Sequence, residues 1–253
     1  MSDTVAAFLD ECTEIDALVS DLDERAWARD TPAQGWTIAH QIAHLAWTDE
    51  VALLAATRPD DFTAEVEEAM RDVLGHVDRR AEEGAATPPS ELLERWRRSR
   101  TGLATALREV PEGTKLPWFG PPMSARSMAT ARLMEVWAHG QDITEALDVH
   151  RTPTDRLREI CHLGVRTRDF AYLINDLPAP SAPFRIELTA PDGELWTWGE
   201  DGTDGVTGSA EDFCLVVTQR REVGETELVA SGEAVRWLAI AQAFAGAPRG
   251  TRS

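Results

Sequence analysis

The chain has one lysine, Lys115, among its 25 cationic residues, and only three cysteines, Cys12, Cys161 and Cys214, in 253 residues. The cysteines are odd in number, widely spaced and free of any C-x-x-C pair, which argues against a disulfide framework or a thiolate metal site. Each reads as a small buried apolar residue. No apolar run approaches the roughly 18 residues that a membrane-spanning helix needs. The N-terminus, MSDTVAAFLDECTEID, has acids where a secretory signal carries basic residues, so it reads as the first helix of a cytoplasmic protein. Net positive charge is also lacking. Lys+Arg of 25 against Asp+Glu of 44 gives −19, which repels nucleic acid and anionic membranes and makes both improbable partners. Internal repeats and low-complexity tracts are absent. Scarce lysine beside abundant Ala, Gly, Pro and Arg is the usage that GC-rich codons produce.

What is present is ordinary globular composition, 43% hydrophobic and 27% charged, in a chain long enough for two domains. Residues 3–25 place Val5, Phe8, Cys12, Ile15, Val19 and Leu22 near a 3.6-residue period, which predicts an amphipathic helix. TPAQGW breaks it, and Thr37 caps a second helix to about Thr57. A weakly apolar, charged helix over about 63–82 follows, then a cleaner one from Ser90 to about Glu109. The Pro- and Gly-rich segment 111–124 reads as a loop, ahead of helices over about 125–147 and 154–175. After LPAPSAP the period changes: FRIELTA and ELWTWGE alternate as a hairpin, GVTGSAEDFCLVV gives a short strand and a helix capped by Ser209, and TELVASG precedes a closing helix. The expectation is an α plus α+β protein, a helical domain over 1–177 followed by a small α+β domain over 183–248.

Glu135 and His139, in EVWAH, lie four residues apart and so project from one helix face, among Met128, Ala131, Ala138 and Asp142. Ionised groups among apolar residues are costly unless paired or bound to metal. On the second helix His44 flanks the stripe of Ile38, Ile42 and Leu45 more closely than His40 does. If the two helices are neighbours, His44 can face Glu135 and His139, as in bundle-core metal sites. Two imidazoles and a carboxylate suit a catalytic zinc with an open fourth position, and also non-haem iron, nickel or manganese. Asp49 and Asp142 are candidates to accept the ligands' remaining N–H groups. Spacing alone leaves the bland reading open: E-x-x-x-H arises by chance, His139 would serve as a core histidine paired to Glu135, and His40/His44 is a competing ligand pair. His76, His150 and His162 match no motif and read as surface or structural.

With these residues placed, GWTIAHQIAHLAW and RLMEVWAHGQDI make the chain resemble the actinobacterial mycothiol-dependent maleylpyruvate isomerase superfamily. The resemblance implies an N-terminal DinB-like four-helix bundle whose metal ligands map to His44, Glu135 and His139. It implies zinc as the metal, mycothiol as a thiol cofactor, and a C-terminal arginine tied to activity, for which Arg220 and Arg221 in TQRR are the candidates. FCLVVTQRR…LVASGEAVRWLAIAQAFAG is similar to the sterol-carrier-like domain that relatives append. The activity so implied is a thiol-assisted isomerase or S-transferase acting on a small electrophile. Metal-assisted hydrolysis and non-catalytic carriage of a small ligand or lipid are the alternatives; the substrate and oligomeric state have no signature in the sequence.

Overall fold

The computed structural model describes residues 3–72, 75–200, 202, 204–246 and 248. Contacts divide the chain into two compact units, Met1–Arg151 and Thr152–Ser253.

The first unit is a four-helix bundle of α1 (Thr4–Val19), α3 (Ile38–Thr57), α6 (Pro89–Glu109) and α7 (Ala125–Leu147), with shorter α2 (Glu24–Trp27), α4 (Pro59–Arg71) and α5 (His76–Ala85) beside it. Caps set the ends. The Asp3 carboxylate accepts from the amides of Val5 and Ala6, and the Ser124 hydroxyl from that of Ser127, satisfying donors that a helix start leaves orphaned. The helix expected over 3–25 ends at Val19, because Asp23 accepts from Ala26 N and starts α2. The helix expected over about 63–82 is two helices, α4 and α5; residues 73 and 74 between them lie outside the described residues. Phe8, Ile15, Ile38, Ile42, Leu45, Trp96 and Leu103 are fully buried, each aliphatic contributing about 1.5–3 kcal/mol by leaving water. Where α7 passes α1 the Ile15 side chain packs so closely on Gly140 that a Cβ there would press on its Cδ1 and on the Arg151 guanidinium.

The second unit opens with α8 (Leu157–Arg166) and α9 (Arg168–Ile174), which replace the single helix expected over 154–175. Thr167 marks the break, where its hydroxyl bonds back to the carbonyls of Leu163 and Gly164 beside the backbone bond from its own N–H to Leu163. A mixed sheet follows, with strands β1 (Arg185–Thr189), β2 (Leu195–Trp198), β3 (Gly205–Ser209) and β4 (Val229–Ser231) in the order β2-β1-β3-β4. β1 pairs antiparallel with β2, with Ile186 opposite Trp198, and parallel with β3, with Ile186 opposite Val206. The parallel step and two helices, α10 (Ala210–Val217) and α11 (Ala234–Ile240), complete the α+β pattern. Its core gathers Phe184, Phe213 and Trp237 with Cys161 and Cys214, whose sulfurs lie 3.5 Å apart. All three cysteines are free and buried, as expected of small apolar residues. No helix among the described residues is long and apolar enough to cross a membrane.

Candidate metal centre

The start of α3 fixes its rotational phase. His40 Nδ1 accepts from the Thr37 amide at 3.2 Å, and His40 Nε2 lies 2.7 Å from the Glu82 carboxylate, so both ring nitrogens are engaged in closing the helix end. One turn on, His44 is directed to the interior, only 8% exposed. From α7, Glu135 and His139 meet it: His44 Nε2 is 3.4 Å and His139 Nε2 is 3.2 Å from the same oxygen, Glu135 Oε2. The imidazole centroids are 4.5 Å apart, and one ligand atom from each residue lies within 4.8 Å of the others.

These residues fit a small divalent cation. Ligand bonds of about 2.0–2.2 Å in tetrahedral geometry place neighbouring ligand atoms roughly 3.4 Å apart, close to the two separations here. Among the described residues this is the one group of three or more such ligands. It supplies three donors, the number a catalytic site uses while keeping a position open. Burial alone pushes the Glu135 carboxyl up, but hydrogen bonds and charge from His139 and His44 outweigh it and hold the group well below the usual carboxylate range. It is therefore ionised at neutral pH, the form in which a carboxylate can serve as a metal ligand.

Two residues that sequence reasoning passed over shape the surroundings. Trp36, in the loop before α3, stacks on His139 with centroids 5.9 Å apart and planes 18° apart, and lies 5.3 Å from the ring of His44. Its indole N–H donates to Asp78 at 2.9 Å, fixing the ring as a wall against both imidazoles. Gln41, fully buried one turn before His44, places its side-chain oxygen 2.5 Å from His139 Nδ1. Both lie within GWTIAHQIAHLAW, but neither is charged and only the histidines of that segment were singled out as candidate ligands.

The carboxylates expected around the ligands are placed differently. Asp49 is fully buried, but Arg132 Nε donates to it at 2.8 Å and Trp96 Nε1 at 3.2 Å, so its partners are a guanidinium and an indole. Asp142 Oδ2 is 3.8 Å from His139 Nδ1, beyond hydrogen-bond reach, and Gln41 occupies the accepting position instead. Arg220 and Arg221 lie in the second unit, in the turn that follows α10, where their guanidiniums donate to the carbonyls of Thr218 and Arg220 at 2.8 Å each. His76 is buried rather than on the surface, edge-on to Trp47 and bonded to Arg79, and burial followed by Arg79 and Arg80 lowers its pKa.

Comparison with known proteins bears on this centre. Residues 8–144, which include His44, Glu135 and His139, match the family model described as mycothiol maleylpyruvate isomerase N-terminal domain. Residues 180–231 match one described as wyosine base formation. Two relatives from strains of Mycobacterium tuberculosis, both bearing the name uncharacterized protein, are 55% identical over 246 residues, which cover 96% of this chain and 96% of theirs. The crystal structures of a mycothiol-dependent maleylpyruvate isomerase and of its mutant superpose with a TM-score of 0.59, at 16% and 17% identity, over 90% of this chain and 92% of theirs. At that identity the likeness is one of fold.

Proposed function

Because this chain belongs to the mycothiol maleylpyruvate isomerase family, we propose that it is a divalent-metal-dependent enzyme that uses mycothiol to isomerise, or to transfer sulfur to, a small electrophilic substrate. The observation that carries this reading is the convergence of His44, Glu135 and His139 on one point with three donors only. These three residues hold the cation, and the donor set favours zinc. A divalent cation so held lowers the pKa of a thiol presented to its open position and supplies a thiolate nucleophile at neutral pH.

The chain's own residues do the rest. Glu135, ionised between two imidazoles, offsets the cation's charge and binds it without first having to lose a proton. Trp36 closes one side of the imidazole pair to water and leaves approach to other directions. The family resemblance also ties a C-terminal arginine to activity, Arg220 or Arg221 here, and a guanidinium can bind a carboxylate with two parallel N–H bonds where lysine cannot. The reaction takes place in the cytoplasm, where cysteines remain reduced, in keeping with three free thiols.

Metal analysis of the purified protein, followed by titration of its cobalt-substituted form with mycothiol, tests the reading. About one equivalent of metal and a thiol-induced change in the cobalt spectrum are expected. Metal without any response to thiol would redirect the assignment to hydrolysis on the same ligand set. Absence of bound metal would overturn it.

A further inference from the structure

The hydrogen bonds behind His139 decide which of its nitrogens is available. Thr31 has one hydroxyl proton, which it donates to the Trp36 carbonyl at 2.8 Å. The Thr31 oxygen is thus left as an acceptor, and the Gln41 amide nitrogen donates to it at 2.8 Å. This fixes the amide's orientation, which atom positions alone leave ambiguous. With its nitrogen turned to Thr31, Gln41 presents its carbonyl oxygen to His139 Nδ1 at 2.5 Å. A carbonyl oxygen only accepts, so Nδ1 must carry a proton.

A neutral imidazole has one N–H. With that proton on Nδ1, Nε2 faces Glu135 Oε2 at 3.2 Å with a lone pair, and a carboxylate oxygen is electron-rich too. Two such atoms at that distance repel unless a metal ion, or the second proton of an imidazolium, lies between them. His44 is a contrast: its Nδ1 is buried and has no hydrogen-bond partner among the described residues, so nothing there selects its tautomer. The two imidazoles are therefore unequal, one anchored and one held mainly by packing.

We infer that Gln41, oriented by Thr31 and the Trp36 carbonyl, is a positioning residue that keeps His139 in its Nδ1–H form with Nε2 committed to the cation. The metal part of this inference rests on the reading given under Proposed function; the tautomer does not. Buried partners of this kind orient metal-bound histidines and raise their basicity, and their loss weakens metal binding about 10–100-fold.

Two measurements separate the parts. The first is the ring-nitrogen correlation spectrum of metal-free protein at alkaline pH, where the imidazole is neutral, with His139→Ala identifying the resonance. Wild type is expected to show Nδ1–H at His139, and Gln41→Leu a shift toward Nε2–H. The second is zinc affinity by competition with a chelator. Gln41→Leu is expected to bind about 10–100-fold more weakly, Thr31→Val to fall between it and wild type, and Gln41→Glu, which keeps an acceptor, to recover the loss. Should Gln41→Leu fail to fold, Thr31→Val carries both readouts. An Nε2–H ring in wild type, or unchanged zinc affinity in Gln41→Leu and Thr31→Val alike, would overturn the role of Gln41 while leaving the metal reading intact. Failure of wild type to bind zinc would overturn the ligand role, and the Nδ1–H tautomer would then be judged by the spectrum alone.

Discussion

Two buried polar clusters tie α3 to α7, and they are built to opposite ends. In one, Asp49 faces Arg132, with Trp96 completing the carboxylate's bonding. In the other, Glu135 faces His44 and His139. The first contains its own permanent cation and is closed; the second offers three donors and, once His139 is fixed as Nδ1–H, no permanent positive charge. Their electrostatics differ in the same sense. Burial dominates at Asp49 and pushes its carboxyl up despite Arg132, whereas the imidazoles at Glu135 outweigh burial and hold its carboxyl down. A buried anion with an internal partner is structure. One whose neighbours are titratable donors is an invitation to a metal.

The sharpest way to break this contrast is to remove ligands from the open cluster. His44→Ala, Glu135→Ala and His139→Ala are each expected to abolish stoichiometric metal binding, measured by metal analysis after dialysis, while His40→Ala retains it because that ring serves the start of α3. Full metal content in His139→Ala would refute the assignment. For the closed cluster the expected effect is on stability alone. Arg132→Met strands the Asp49 charge and is expected to cost about 3–5 kcal/mol in urea unfolding of the metal-free protein, and a loss under about 1 kcal/mol would show that the pair is not needed.

A third cluster sharpens the same distinction with a smaller effect. Asp16 accepts from Arg97 at 2.8 and 2.7 Å and from Arg100 at 2.6 Å, and the Arg97 bonds above all hold its carboxyl below the ordinary value. A folded-state pKa below the unfolded one gives stabilisation that is complete above about pH 3.9 and fades as pH falls through the folded value. Asp16→Asn should therefore be less stable than wild type at pH 7, by about 1–3 kcal/mol, with the gap narrowing in acid. A gap independent of pH would show that charge is not the cause. Smallest of all is the expected absence of a signal: Cys12, fully buried near the closed cluster, has its thiol pushed well up by burial and then by Asp49. None of the three cysteines should react with a thiol-exchange reagent in the native protein, and all three should react after denaturation. Rapid native labelling would mean that the core opens far more readily than its packing implies.

The bundle was legible in the sequence because its signals are local: the capping residue Thr37, apolar residues at helical spacing, and EVWAH placing a carboxylate and an imidazole one turn apart. His44 could be chosen over His40 from its flank of the apolar stripe. Other features depend on partners far away in the chain. Asp49 looked like support for the ligands because nothing near it announces Arg132, and Gln41 was missed because an uncharged amide becomes informative only when Thr31 and His139 are seen on either side of it. The helix breaks at Ser20 and Thr167 were missed for a different reason. Apolar periodicity continues across both, and short side-chain bonds from Asp23 and Thr167 override it.

Gly140 gives the open cluster a genetic vulnerability. It follows His139 directly and faces the Ile15 side chain on α1 and the Arg151 guanidinium, which a larger residue would have to push aside. A missense change in that codon is expected to press on the turn of α7 that carries His139 while leaving His44, Glu135 and His139 in the sequence. With the metal bound as proposed, substitutions at position 140 are expected to weaken its binding through a residue that never touches it, leaving the donor set unaltered.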